Sequence, residues 1–425
     1  MGSDIETQDR TALSGLQLKR LQSMLGPILK DNVFYRQKLN AAGFTRPEDI
    51  RTAEDYRRLP FTSKAELSAD QIAHPPYGTN LTVSQDQFVR VHQTSGTTGQ
   101  PLRWLDTDAS WMWFAQCWKR VYQGAGVTAA DRIFFAFSFG PFIGFWTAHE
   151  GARELGALSI SGGSMTSVQR LQAIVDHQAT VLVCTPTYAL HLAEVAEAEG
   201  IDIVNGSIQT TIHAGEPGAG LPATRQRIER AWGATCYDHA GATEVGAWGF
   251  ECEMRDGMHV NEGEFVFEVI DPDTCEPAEE GELVITNLGR VAMPVIRYRT
   301  GDRVKLNRDM CACGSSFWRL DGGVIGRVDD AIIIRGVNVY PSSIENVVRG
   351  FSEVTEFAVD IYRRHEMADM EIRLEVNGDS VDAVAEAVGQ EVRHLLGIRA
   401  RVQTVPNNTL PRFELKAKRF MDHRS

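Results

Sequence analysis

Between residues 130 and 290 the chain alternates between two apolar patterns, and this constrains its fold more than any other feature. Short continuous apolar runs at 133–137, 180–184 and 207–213 read as strands buried on both faces. Between them, 166–178 and 186–199 carry apolar residues at helical spacing. Strands alternating with amphipathic helices predict an α/β fold. The stretch 264–288 differs: 264–271 and 282–287 read as strands around Asp271-Pro272-Asp273, a β meander added to the α/β core. Before all this, Leu13, Leu16, Leu18, Leu21, Met24, Leu25, Ile28 and Leu29 predict helix through 12–43, ended by Gly43. The last hundred residues read as strand 331–334, helix 342–349, strands 356–362 and 371–376, helix 381–396 and strand 399–404, a small α+β domain. The expected division is therefore a large domain at 1–328 and a small one at 329–425. No internal repeat or low-complexity segment is present.

One stretch, 133–148 (IFFAFSFGPFIGFWTA), is apolar enough to test as a membrane span. It is too short, is broken by Gly140-Pro141, and is flanked by Asp131-Arg132 and His149-Glu150, so it reads as strand, turn and helix start. The first ten residues are polar and acidic, unlike a signal peptide. A soluble, cytoplasmic protein is expected. Its formal net charge of −13 argues against a polyanionic partner, hence no nucleic acid, but not against a small phosphate ligand held by backbone amides. Seven cysteines are too sparse and too odd in number for a disulfide framework.

The strongest local motif is TSGTTGQP at 94–101, two glycines and four hydroxyl residues just after the apolar run 88–91. Glycines let the backbone bend close to an anion, and hydroxyls and amides donate to its oxygens. The Gly-Lys-Ser/Thr ending of a Walker loop is absent. Most Ser/Thr/Gly runs are polar surface turns; this string resembles the phosphate loop of adenylate-forming enzymes. Four further segments follow in that superfamily's order: AGATEVG at 240–246, RYRTGDR at 297–303, GRVDDAIIIRGVNVYP at 326–341 and PRFELKAKR at 411–419. FYRQKL at 34–39, HAGEPG at 213–218 and the short chain resemble the phenylacetate–CoA ligase branch, which activates aryl acids.

The resemblance implies roles residue by residue. Thr94, Ser95, Gly96, Thr97, Thr98 and Gly99 would hold the ATP β- and γ-phosphates. Thr243 would touch the α-phosphate and Glu244 ligate Mg²⁺, which suits phosphate oxygens plus one carboxylate. Asp302, an acceptor-only carboxylate, would take both ribose hydroxyls, and Arg327 would bind ribose or phosphate. Gly215, Glu216, Pro217, Asp238 and His239 would line the adenine pocket. Lys416 would be the catalytic lysine, its ammonium stabilising charge as a carboxylate attacks the α-phosphorus. The run 411–425 carries a net +3 in an acidic chain; a solvated basic tail is the plain alternative, and the preferred one for Lys418. Asp329 would be the hinge of a mobile lid. Phe139, Phe142, Ile143 and Gly144, with Ala240 and Gly241, would line the acyl pocket, although some of these aromatics must be plain core.

Two positions depart from the family pattern. Leu415 stands where a glycine often precedes the lysine, and a side chain there disfavours positive φ. Ala240 stands where a tyrosine is usual; losing that ring either removes stacking area against the nucleotide or opens the acyl pocket, the latter suiting a substituted ring. Cys252, His259, Cys311 and Cys313 combine three thiols and an imidazole, the donor set of a structural Zn²⁺. The spacing alone is a weak signal, buried unpaired thiols being the alternative, but some relatives in the branch look similar. Cys117, Cys184, Cys236 and Cys275 are expected to be plain thiols.

The implied function is an ATP-dependent, AMP-forming ligase with ATP, Mg²⁺ and CoA as cofactors and cosubstrates and a small aryl acid as substrate. No nucleic-acid or membrane partner is expected, and a homodimer is compatible with the reading. The rivals keep adenylation but pass the acyl group to a carrier-protein thiol or a nitrogen nucleophile, or are a non-catalytic nucleotide sensor. The sensor should have lost Glu244, Asp302 or Lys416, and all three are present.

Overall fold

The computed structural model describes residues 5–94, 101–140, 143–328, 330, 332–334, 337–364, 367–378, 380–413 and 417–424. The chain forms two compact units, each built from two chain segments. The first joins Met1–Gly163 to His239–Gly323, and the second joins Ser164–Asp238 to Val324–Ser425.

In the first unit the predicted N-terminal helix is two helices, Arg10–Asp31 and Val33–Ala41. Asn32 separates them: its side chain accepts from the Tyr35 N–H and donates to Asn80 and Thr82, so one buried amide caps the second helix and ties it to a distant loop. Leu21, Met24, Leu25, Ile28, Tyr35 and Leu39 bury their shared face against Phe44, Ile50, Leu288 and Ile296. The segment His239–Gly323 contributes an antiparallel ladder, in the order Phe265–Ile270, Glu280–Asn287, Tyr298–Asn307, Arg319–Leu320, Met258–Val260, Gly246–Phe250 and the end of Thr235–Ala242. The predicted meander is the first hairpin of this ladder. Arg132–Phe135 and Leu158–Ser161 form a parallel pair, connected by the helix Ile143–Leu155. That helix packs closely on Asp108–Gly124, where a Cβ at Gly151 would stand 2.6 Å from the Trp118 Cβ.

In the second unit Val181–Cys184, Thr210–His213 and the beginning of Thr235–Ala242 are parallel neighbours. Their crossovers are the helices Pro186–Glu199 and Pro222–Trp232, each ending at a glycine of positive φ, Gly200 and Gly233. Helix Ser167–Asp176 opens on a capping box between Thr166 and Gln169. The C-terminal segment makes a four-stranded sheet in the order Ala400–Val405, Met367–Val376, Val354–Arg364 and Phe420–Asp422. Helices Pro341–Arg349 and Val381–Leu396 cover it, and Ile344, Val348, Val359, Ile361, Ile372, Leu374, Val388 and Val392 form its core. Each such side chain contributes roughly 1.5–3 kcal/mol of transfer free energy.

The expected α/β class and α+β C-terminal part are therefore observed. Several elements escape the periodicity reading, among them Lys64–Ala73, Pro222–Trp232 and Tyr298–Asn307, and two show why. Asp108–Gly124 buries Trp111, Phe114, Trp118, Val121 and Tyr122 and has no clean polar face, while Phe420–Asp422 is too short to carry a pattern and exists through its pairing. The apolar run 88–91 is displaced: the strand is Arg90–Gln93, with Val89 and Val91 exposed. No helix among the described residues is long and apolar enough to cross a membrane.

Candidate active site

The residues predicted for the nucleotide, with Ala240 and Gly241 predicted for the acyl pocket, fall in both units. Thr94, His239, Ala240, Gly241, Thr243, Glu244 and Asp302 belong to the first; Gly215, Glu216, Pro217, Asp238 and Arg327 belong to the second. Ser95, Gly96, Thr97, Thr98, Gly99, Phe142, Asp329 and Lys416 lie outside the described residues.

Thr94 closes the neck of the Gly-rich loop. Arg90–Gln93 pairs antiparallel with Arg103–Asp106, the Thr94 N–H donates to the Leu102 carbonyl (3.0 Å), and the Thr94 hydroxyl accepts from the Leu102 N–H (3.1 Å). The loop ends are thereby held together whatever fills the loop.

Thr243 and Glu244 form the turn between Thr235–Ala242 and Gly246–Phe250. Gly246 closes it at φ +123°, and a Cβ there would stand 3.0 Å from the Trp113 ring, so glycine is required twice over. The Thr243 carbonyl accepts from Arg290 Nη1 (2.5 Å). Arg290 also makes a two-point ion pair with Asp106, Nε to Oδ1 at 2.8 Å and Nη2 to Oδ2 at 2.5 Å, and both side chains are fully buried. Ser110 donates a further bond to Asp106 (2.8 Å). The strand that follows the Gly-rich loop is thus tied to the Thr-Glu turn through one guanidinium. The buried Glu244 carboxylate accepts from the Tyr298 hydroxyl (3.3 Å), which joins the AGATEVG and RYRTGDR motifs. Neither Arg290 nor Tyr298 was singled out by sequence, though Tyr298 stands inside a quoted motif.

Asp302 is displaced from the ladder by a bulge. Across the strand pair, Glu282 faces Arg303 and Val284 faces Arg299, so Thr300, Gly301 and Asp302 together oppose Leu283. The Thr300 hydroxyl accepts from the Asp302 N–H (3.0 Å) and donates to the Leu283 carbonyl (2.9 Å), while Arg299 is held by Glu282. A half-buried carboxylate is thereby presented off a rigid sheet. His239 Nδ1–H donates to the Gly249 carbonyl (2.6 Å), and its ring packs on Trp118 at 4.2 Å. Burial pushes its pKa down to about 4, so it is a neutral, structurally held imidazole. Ala240 faces Gly249 across the hairpin, and Gly241 is exposed.

An aromatic cluster occupies 135–149. Phe137 stacks on Phe145 (3.5 Å between centroids), and Phe139 meets Trp146 (4.7 Å) and His149 (5.9 Å) edge-on. Phe134 and Phe135 are core, while Phe139 is half-buried and Trp146 is 40% exposed. Ile143 is buried, and Gly144 has open space where a Cβ would project. Phe145, Trp146 and His149 pack in this cluster from one helix, at i, i+1 and i+4.

The four predicted metal ligands converge. Their ligand atoms all lie within 4.8 Å of one another, with Cys252 Sγ 3.7 Å from Cys311 Sγ and Cys313 Sγ 3.6 Å from His259 Nε2. Tetrahedral Zn²⁺ with Zn–S near ~2.3 Å sets neighbouring thiolates roughly 3.7–3.8 Å apart, so the quartet fits the ion. His259 Nδ1–H donates to the Phe317 carbonyl (3.1 Å), which leaves Nε2 aimed at the sulfurs. Cys117, Cys184 and Cys236 are buried thiols outside this quartet, and Cys184 Sγ lies 3.8 Å from His213 Nδ1.

In the second unit Thr185 and Ala214 follow the carboxyl ends of two parallel strands, and Asp238 is where the third ends its parallel pairing, the usual ligand side of such a sheet. Gly215, at φ +96°, turns the chain sharply after His213. Glu216 Oε1 accepts from the Thr187 N–H (3.0 Å) and Oε2 from the Ala417 N–H (2.8 Å). Arg327 is half-buried in the short strand Gly326–Arg327. The basic run near Lys416 is largely neutralised. Arg412 pairs with Glu375 and Glu194, Arg419 with Glu356 and Glu345, and Arg424 with Asp422, while Lys418 is exposed. Burial is the largest influence on Glu356 and raises its carboxyl, yet Arg349 and Arg419 outweigh it and hold the group below the usual range.

With this geometry described, the chain can be compared with known proteins. A family model described as "AMP-binding enzyme" matches residues 32–292, and one described as "AMP-binding enzyme C-terminal domain" matches 336–424. A phenylacetate-coenzyme A ligase of Thermus thermophilus is 34% identical over 450 residues, covering 99% of each chain. A crystal structure of 2-hydroxyisobutyryl-CoA ligase in the postadenylation state with R3-HIB-AMP matches with TM-score 0.93 at 31% identity, covering 99% of this chain and 91% of that one. The same ligase with 2-HIB-AMP and CoA in the thioesterification state matches with TM-score 0.75 at 32% identity and the same coverage. The chain belongs to the adenylate-forming AMP-binding enzyme family, in its phenylacetate–CoA ligase branch, and is an AMP-forming acid–thiol ligase.

Proposed function

We propose that the acid this ligase activates is aromatic, of benzoate or phenylacetate type, with room for amino or hydroxy substituents. The observation that carries this is the aromatic cluster of Phe137, Phe139, Phe145 and Trp146 with open space beside Gly144. Such faces and edges suit a flat ring. A second reading, a small 2-hydroxy aliphatic acid, is favoured by the full-length likeness to 2-hydroxyisobutyryl-CoA ligase. A pyrophosphate-exchange panel of benzoates, phenylacetates and 2-hydroxyisobutyrate decides between them. Aromatic acids are expected to exceed 2-hydroxyisobutyrate in kcat/KM by about tenfold or more, the scale on which apolar pockets discriminate. The reverse order overturns the aryl reading.

In this proposal the acid's carboxylate attacks the α-phosphorus, pyrophosphate leaves, and the CoA thiol then displaces AMP. The amides and hydroxyls of Ser95–Gly99 hold the outer phosphates from a loop whose neck Thr94 clamps. Thr243 meets the α-phosphate. Glu244, oriented by Tyr298, supplies the carboxylate for Mg²⁺, whose chemistry is to neutralise phosphate charge. Asp302 takes the ribose hydroxyls from its bulge. Arg327 contributes at ribose or phosphate, and Gly215, Pro217, Asp238 and His239 form the adenine surroundings. Asp329 is the hinge of a lid spanning 329–425, and the setting is cytoplasmic.

The Cys252–His259–Cys311–Cys313 quartet is proposed as a structural zinc site, its donor set and spacing being the support. Replacing Cys311 and Cys313 by serine is expected to abolish bound zinc by elemental mass spectrometry. It should also lower the thermal midpoint by at least the ~2–4 °C that each kcal/mol is worth in a domain of this size. Unchanged zinc content rules the site out.

A further inference from the structure

The Glu216 carboxylate is committed on both oxygens to main-chain donors from different parts of the chain. One is the Thr187 N–H, in the first turn of Pro186–Glu199, where the helix dipole favours an anion. The other is the N–H of Ala417, the residue covalently following Lys416. Glu216 and Thr187 lie in the segment matched by the AMP-binding model, and Ala417 in the segment matched by the C-terminal-domain model. Two side-chain contacts run alongside: Arg419 Nη1 donates to the Thr187 hydroxyl (3.3 Å), and Arg412 Nε to Glu194 (3.2 Å).

The far side of the same segment is anchored independently. Phe420–Asp422 is paired into the four-stranded sheet, Arg419 is gripped by Glu356, and Glu375 holds both Arg412 and the Leu410 N–H. Removing Glu216 therefore leaves the C-terminal sheet and its ion pairs intact. What it deletes is the direct tie from Ala417 to the Thr187 turn.

We propose that Glu216 is a positioning residue for adenylate formation. It fixes the main chain at Ala417, and through it the approach of Lys416, for the first half-reaction alone. This rests on the reading of Lys416 as the catalytic lysine. A carboxylate that bridges one N–H of the Thr187 turn and the N–H of Ala417 fixes the distance between those two main-chain points, and misplacement of a catalytic group by about 1 Å costs ~10²-fold. In the 2-hydroxyisobutyryl-CoA ligase the postadenylation and thioesterification structures match this chain at 0.93 and 0.75, so the two states of that relative differ. A tie between the two family segments that serves one half-reaction should be dispensable in the other.

The test separates the half-reactions. Full-length Glu216→Ala and Glu216→Gln are assayed for pyrophosphate exchange with phenylacetate, or with whichever acid of the panel exchanges fastest. They are assayed separately for thioester formation from the matching synthetic acyl-adenylate and CoA. In Glu216→Ala, exchange kcat is expected to fall about 10–100-fold with the ATP KM little changed and thioester formation within about threefold of wild type. Glu216→Gln, which keeps one acceptor oxygen but points an NH₂ at the other donor, should show the same one-sided loss, smaller in size. Equal loss in both half-reactions by the glutamine variant, exchange within twofold of wild type, or a rise confined to the ATP KM each overturns the proposal. Lys416→Ala runs beside them: normal exchange there refutes the lysine reading, whereas a dead Lys416→Ala with a normal Glu216→Ala refutes the role of Glu216 alone.

Discussion

Replacing Lys416 by alanine is expected to lower pyrophosphate exchange about 10²–10³-fold while ATP affinity changes by less than about threefold, because the charge it meets develops only as the bond forms. A carboxylate approaching a triphosphate sets one anion against another, and an ammonium aimed between them is worth more in the transition state than in either ground state. The surroundings sharpen the expectation. In a chain of net charge −13, the neighbouring cations Arg412, Arg419 and Arg424 are each held by carboxylates. They cannot substitute for a lost ammonium without breaking those pairs. Lys418, exposed and two residues away in sequence, serves as the control, and its alanine variant should exchange within about twofold of wild type. Lys416→Arg should recover little, since a planar fork does not present charge where a compact ammonium does. Exchange by Lys416→Ala near the wild-type rate, measured beside calorimetric ATP binding, refutes the role.

What was legible in the sequence was local or repeated. Helix Ser167–Asp176 announces itself through the Thr166–Gln169 box and its apolar stripe, and Val381–Leu396 through periodicity with Gly397 beyond it. The Cys-x-Cys turn and the Cys252–His259 half-site were legible as a donor set, and folding brings all four together. The motif order also exposed the family. Pairings between distant residues were not legible, because they leave no period. Asp106 and Arg290 stand 184 residues apart, and either alone reads as an ordinary surface charge. The Tyr298–Glu244 bond joins two motifs that sequence lists separately. Glu216 was legible only as part of HAGEPG, and nothing in that string says its carboxylate meets two amides. The division into units was hidden for a similar reason: the chain leaves each unit and re-enters it, the boundary falling inside the strand Thr235–Ala242.

Arg290→Met is expected to be the most destabilising single change outside the zinc quartet, at about 3–5 kcal/mol, since it leaves the Asp106 carboxylate buried without its cation. Both side chains are 0% exposed, so water cannot take over the lost bonds. The Ser110 hydroxyl remains as one donor to Asp106, too little for a charge at that depth. Methionine roughly replaces the arginine stem but not the guanidinium, whose Cζ lies 5.5 Å from the Trp104 and Phe114 ring centroids, so the loss is chiefly of charge contacts rather than a cavity. The double variant Asp106→Asn/Arg290→Met should therefore regain a large part of the stability, because a neutral amide beside Ser110 is far cheaper to bury than a lone carboxylate. Urea unfolding of the three proteins tests this through their order, which survives even if unfolding has more than two states. A double variant no more stable than Arg290→Met would show that the guanidinium acts through packing and not through its charge. Activity gives a second, independent readout. Arg290 also holds the Thr243 carbonyl, so the double variant, restored in stability, should still exchange pyrophosphate about tenfold or more below wild type, its Thr243–Glu244 turn no longer braced against the strand that follows the Gly-rich loop.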